Sequence, residues 1–119
     1  MITITKIFEF AAAHHLPNHK GLCKNIHGHT YVLEIEIASE IQKDGPATGM
    51  IMDFGDLKRI VNEEIINKLD HSYLNDLFEN PTAEMMVDWM SRVLKNKLEL
   101  YRLRLYETPT SFAEWKNRD

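Results

Sequence analysis

Cys23-Lys24-Asn25-Ile26-His27-Gly28-His29-Thr30-Tyr31-Val32-Leu33-Glu34-Ile35-Glu36-Ile37 is the stretch on which the fold turns. From His27 onward the odd positions carry His27, His29, Tyr31, Leu33, Ile35 and Ile37, while Thr30, Glu34 and Glu36 fall on even ones. Alternation of period two sends successive side chains to opposite faces, so this segment reads as a strand with one buried face. Both histidines lie on the apolar side, where a polar group needs a partner to offset its desolvation. Imidazoles at i and i+2 converge on one point, as a tetrahedral zinc site requires.

Upstream, the even positions Ile2, Ile4, Phe8, Phe10, Ala12 and His14 alternate with Thr3, Thr5, Glu9 and Ala13, and Lys6 is the exception. A second half-buried strand is expected, with His14 closing its apolar face unless a bulge at Ala11-Ala12-Ala13 changes the phase. Pro17, Asn18, Gly21 and Asn25 mark the connection as a loop. Six histidines occur, five of them between positions 14 and 29. His14, His27 and His29 could together hold zinc and leave a fourth position for water or substrate, the open form of a catalytic site. His15 and His19 are rival ligands by position, although Pro17 and Gly21 put them in or beside the loop.

Cys23 is the only cysteine, so no intrachain disulfide can form. Beside several histidines it is a candidate nucleophile, base or metal ligand, and as a fourth ligand it would close a structural site. A nearby cationic or metal charge would lower its pKa and suit it to proton abstraction. Packing as a small hydrophobe is the plain alternative, which its polar neighbours Lys24 and Asn25 disfavour.

Downstream, Asp44-Gly45-Pro46 has turn chemistry and Met50-Ile51-Met52 is a candidate short strand. Asp53 offers an N-cap to a helix whose apolar stripe is Leu57, Ile60, Val61, Ile65 and Leu69. Asp70-His71 follows it, as a proton relay for the thiol or simply as a helix end favourable to His. A second helix starts at Asn80-Pro81-Thr82, with Met86, Trp89, Met90 and Val93 as core packing. Leu98 to Glu107 alternates again, setting Tyr101, Leu103, Leu105 and Glu107 against Arg102, Arg104 and Tyr106. Glu107 thus ends an apolar strand face, where a carboxylate can accept paired N–H bonds from a guanidine-like edge. Ser111 to Trp115 is a further strand or a short turn.

The expected class is α+β, a four-stranded antiparallel sheet with two helices on one face, in a single domain spanning residues 1–119. The exposed edges of so small a sheet favour pairing between subunits and hence a homo-oligomer. Composition, 44% hydrophobic and 27% charged, fits a globular domain. A net charge of −4 without long basic runs disfavours nucleic-acid partners. No apolar run is long enough for a membrane span, and the N-terminus lacks a signal-peptide pattern, so a cytoplasmic location is expected.

Taken in order, Ala13-His14, Cys23 to His29, Asp53-Phe54, Leu69-Asp70-His71, Asn80-Pro81-Thr82-Ala83-Glu84 and Glu107-Thr108 resemble the 6-pyruvoyl-tetrahydropterin synthase family over nearly the whole chain. The three residues between Cys23 and His27 look like its bacterial 6-carboxy-tetrahydropterin branch, which serves queuosine biosynthesis. The resemblance implies a T-fold that assembles into trimeric barrels stacked as hexamers, with active sites between subunits. It implies His14, His27 and His29 as zinc ligands and Cys23 as the catalytic thiol. Asp70 and His71 would be its partners from an adjoining subunit, and Glu107 and Thr82 would contact the pterin. The implied substrate is 7,8-dihydroneopterin triphosphate, with the 6-pyruvoyl product or a non-catalytic zinc or pterin module as alternatives.

Overall fold

A computed structural model describes residues 1–118. Strands β1 (Thr3–His14) and β2 (His27–Ala38) pair antiparallel along their whole length, from Thr3 opposite Ala38 to His14 opposite His27. No bulge interrupts Ala11 to Ala13. The phase therefore runs unbroken, and Phe8, Phe10, Ala12 and His14 are buried on one face beside Tyr31, Leu33, Ile35 and Ile37.

The first helix begins as α1 (Phe54–Val61), where the Asp53 carboxylate accepts the Gly55 N–H at 2.6 Å. It continues through a π-helical turn (Asn62–Ile66) into α2 (Asn67–Leu69). The wider turn has a packing consequence that the 3.6-residue stripe does not show. Adjacent Ile65 and Ile66 are both buried, in line with Leu57, Val61 and Leu69. The chain then forms a two-residue strand, β3 (Ser72–Tyr73), and later α3 (Ala83–Leu94), capped by Thr82. Met86, Val87, Met90 and Leu94 face the core, and Trp89 packs edge-on against Phe78 with ring centroids 5.4 Å apart.

Strand β4 (Leu100–Thr108) pairs antiparallel with β2, and β5 (Ser111–Lys116) folds back on β4. The sheet order is β3-β1-β2-β4-β5, with β3 parallel to β1. The sheet is thus five-stranded and mixed, not four-stranded and antiparallel. Two residues are too few to show alternation, which is why β3 leaves no sequence signature. Two smaller expectations also change. Met50-Ile51-Met52 is not a strand, because Gln42 of its own loop takes the Met50 carbonyl at 2.9 Å and the Ile51 carbonyl at 3.3 Å. A bulge at Tyr101 lets Leu100 and Leu103 both face the core.

The helices cover one face of the sheet. On the other face Arg102 donates to Glu36 at 2.6 Å, Glu34 at 3.2 Å and Glu114 at 3.3 Å. Thr3 donates to the second oxygen of Glu36 at 2.6 Å, and the Arg104 guanidinium lies 4.1 Å from the Phe112 ring centroid. Ile7 and Phe112 remain exposed there. Among the described residues no helix is long and apolar enough to cross a membrane.

Candidate metal centre and active site

The register of β1 and β2 sets His14, the last residue of one strand, directly opposite His27, the first of the other. His29 follows two residues on, on the same face, and Glu107 arrives from the neighbouring β4. One ligand atom from each of these four side chains lies within 4.8 Å of all the others. The Nε2 atoms of His14 and His27 are 3.0 Å apart, and Glu107 Oε1 stands 3.2 Å from Nε2 of both His14 and His29. The three rings meet edge-on, with centroids 4.6 to 5.0 Å apart.

The outer nitrogens fix the chemistry of the inner ones. His14 Nδ1 lies 2.9 Å from the Pro81 carbonyl, and His27 Nδ1 lies 2.7 Å from the Asn25 carbonyl. Carbonyls only accept, so each Nδ1 carries a proton and each ring turns its Nε2 inward. Two such nitrogens 3.0 Å apart need a proton or a metal cation between them. His29 Nε2 is buried with no hydrogen-bond partner among the described residues, since its approach to Glu107 lacks hydrogen-bond geometry. An orphaned inward nitrogen, two oriented imidazoles and a carboxylate fit a zinc ion well. Backbone carbonyls on the outer ring nitrogens are also the partners expected of metal-bound histidines.

Charge follows the same geometry. Burial pushes the His14 imidazole down, but the Glu107 carboxylate and the Pro81 carbonyl outweigh it and raise its pKa. His29 is lowered, by burial first and then by the neighbouring imidazoles, against the pull of Glu107. The hydrogen bond to His14 holds the Glu107 carboxyl below its ordinary value. Beneath the cluster Tyr31 is fully buried, its hydroxyl 3.5 Å from His14 Nδ1, and burial raises its pKa.

Cys23 sits half-exposed in a single 3₁₀ turn, Leu22–Lys24, and is not among the four grouped side chains. Glu107 stands in the fourth place that a closed cysteine site would have needed. The Leu16 N–H donates to the Cys23 carbonyl at 2.7 Å, tying the two ends of the loop together. The rival histidines are engaged elsewhere. His15 meets the Tyr73 hydroxyl at 2.5 Å, and His19 accepts the Gly21 N–H at 2.9 Å.

Asp70 and His71 form their own pair just past the helix end at Leu69. The Asp70 carboxylate accepts the Ala11 N–H at 3.0 Å and lies 3.1 Å from His71 Nδ1, while the His71 N–H donates to the Ala11 carbonyl at 2.6 Å. The pair therefore clamps onto the outer edge of β1. The bond from Ala11 is the largest cause lowering the Asp70 pKa, followed on the same side by His71. His71 has φ 60, a left-handed conformation uncommon for a residue with a side chain, and its ring is 83% exposed. It does not reach the metal group within this chain; it borders a shallow hollow with Gly28 and His29.

Thr82 accepts the Met85 N–H at 3.1 Å as the cap of α3. Beside it opens a cleft of about 510 Å³ between the start of α3 and the β4–β5 hairpin, lined by Ala83, Glu84, Asp88, Glu107 and Ser111 to Trp115. Sequence reasoning overlooked Glu84 and Asp88 as lining groups. The signal was available for Glu84, which closes the segment Asn80-Pro81-Thr82-Ala83-Glu84.

Comparison with known proteins agrees with this architecture. The family model described as 6-pyruvoyl tetrahydropterin synthase matches residues 3–118. The 6-carboxy-5,6,7,8-tetrahydropterin synthase of Haemophilus influenzae is 36% identical, covering 98% of this chain and 99% of its own. The Synechocystis protein of the same name is 39% identical, over 97% of this chain and 93% of its own. The dihydroneopterin monophosphate aldolase of Pyrococcus furiosus is 40% identical over 71% of this chain and 72% of its own. Among solved structures, the Caenorhabditis elegans 6-pyruvoyl tetrahydropterin synthase superposes with a TM-score of 0.84 at 26% identity, covering 98% of this chain and 95% of that one. The chain belongs to the 6-pyruvoyl tetrahydropterin synthase family.

Proposed function

We propose that this protein is a zinc-dependent lyase that converts 7,8-dihydroneopterin triphosphate and water into 6-carboxy-5,6,7,8-tetrahydropterin, acetaldehyde and triphosphate. The observation that carries the reading is the convergence of His14, His27, His29 and Glu107 beside a cleft lined by carboxylates. Support for the 6-carboxy product comes from the names of the Haemophilus and Synechocystis relatives. In this reading the protein is cytoplasmic and serves queuosine biosynthesis.

His14, His27 and His29 hold the zinc, and bound there it supplies Lewis-acid chemistry to the substrate side chain. The chain's own residues do the rest. Cys23, as thiolate, takes a proton from a side-chain carbon, and the loop tie from Leu16 limits where it can wander. His71, oriented by Asp70, takes that proton from Cys23 and returns it to the substrate. Glu107 accepts the N–H edge of the pterin ring, with Thr82 beside the cleft. His71 is exposed and stands apart from the metal group of its own chain, which supports a site completed by a second subunit in a trimer or hexamer. The uncovered second sheet face, with Ile7 and Phe112 exposed, supports the same assembly.

Incubation of the zinc-loaded protein with 7,8-dihydroneopterin triphosphate, followed by an aldehyde assay, tests the reaction. Acetaldehyde in step with triphosphate is expected. Triphosphate without acetaldehyde would show the 6-pyruvoyl reaction instead. Release of a phosphorylated two-carbon aldehyde from the monophosphate would favour the activity in the name of the Pyrococcus relative. Cys23→Ser is expected to abolish turnover while leaving zinc content unchanged, and light scattering of the native protein reads the subunit number.

A further inference from the structure

Glu107 is asked to serve two clients. It borders the cleft, where a ring N–H edge would use both carboxylate oxygens. It also stands with one oxygen 3.2 Å from two inward imidazole nitrogens. A tetrahedral ion with bonds of about 2.0–2.1 Å separates its ligand atoms by about 3.3 Å. The His14–His27, His14–Glu107 and His29–Glu107 separations, 3.0, 3.2 and 3.2 Å, all approach that edge length. Hydrogen bonding accounts for the approach to His14 at most, and not for the one to His29. The Nδ1 proton of His14 is engaged with the Pro81 carbonyl, and His29 Nε2 has no hydrogen-bond partner among the described residues.

We propose that Glu107 is an exchangeable fourth ligand. It closes the metal centre in the pterin-free protein, and ring binding draws it off and opens that ligand position in the same event. The idea rests on the pterin reading above for its second half only. One carboxylate cannot offer both oxygens to a paired N–H edge while one of them ligates an ion. The exchange would therefore keep the centre shut to water and stray ligands until the substrate ring is seated.

The test uses the intact protein loaded with cobalt(II), whose visible absorption reports the ligand set, together with zinc affinity from chelator competition. Without pterin, Glu107→Gln is expected to change the cobalt spectrum and weaken zinc binding about 10- to 100-fold. Glu107→Asp keeps the charge but shortens the reach by one methylene, and is expected to weaken binding as well. Circular dichroism of the metal-free variants checks that they fold. Adding 7,8-dihydroneopterin to the wild-type cobalt protein is expected to move its spectrum towards that of Glu107→Gln. Identical spectra and affinities in wild type and Glu107→Gln would overturn the ligand assignment and leave the lyase reading standing. Full zinc affinity in Glu107→Asp would reduce the role to charge alone, against the proposal. A wild-type spectrum unmoved by saturating pterin would overturn the exchange. Absence of pterin binding altogether would instead refute the proposed function.

Discussion

Replacing Arg102 with Met keeps most of the aliphatic stem and removes the guanidinium that organises the uncovered face of the sheet. Arg102 is 16% exposed, and its partners Glu36, Glu34 and Glu114 are 16%, 20% and 27% exposed. Hydrogen bonds to charged groups contribute about 1.5–3 kcal/mol, and partial exposure places these at or below the lower end. Most of the value belongs to the 2.6 Å bond to Glu36, and the two longer bonds add less. The expected loss at pH 7 is about 2–3 kcal/mol. In a chain of this size that lowers the melting temperature by roughly 10 °C. Acid should shrink the difference. Burial alone would raise the Glu36 carboxyl, but the bonds from Thr3 and Arg102 outweigh it and hold its pKa low. A depressed folded-state pKa gives stability that is present above the unfolded value of about 4.3 and is lost as pH falls through the folded value. Urea unfolding at pH 7 and pH 3, at one protein concentration, therefore separates charge from packing. A destabilisation of the same size at both pH values would refute the electrostatic account.

Three further outcomes follow from the site. Zinc at about 100 times its dissociation constant should stabilise the wild type by about 2.7 kcal/mol, and His29→Ala should lose most of that gain in a thermal melt. Thr82→Ala should cost about 1 kcal/mol through loss of the α3 cap, and Thr82→Ser should restore it, both read by denaturant unfolding. His71→Gly should leave folding stability unchanged or slightly raised, because φ 60 suits glycine, while abolishing turnover. A marked loss of stability there would show that the imidazole's contact with Asp70 outweighs the backbone strain.

Much of this architecture is legible in the sequence because one face of each long strand is buried. Alternation found β1, β2 and β4, and phasing alone brought His14 to His27 and His29. Where the reading stopped, the cause was local. β3 is too short for a period, the π-helical turn hides in a stripe that still looks helical, and the bulge at Tyr101 shifts a phase that the residue types left intact. Glu107 shows the deeper limit. Its place at the end of an apolar face could be seen, but its contact with two imidazoles depends on β4 lying beside β2, a pairing that no nearby residues encode. The positions of Asp70 and His71 against Ala11 are of the same kind.

The central place of β2 in the sheet also bears on the order of folding. His27 and His29 begin a strand flanked on one side by β1 and on the other by β4, which is synthesised near the far end of the chain. Pairings across such separations are slow to form, because closing the intervening chain costs entropy before any contact is gained. The histidine cluster with its carboxylate is then a late product of folding and no nucleus for it. Zinc added to the unfolded chain should leave the refolding rate unchanged and slow only unfolding. Faster refolding with zinc would mean that the histidines gather before β4 arrives.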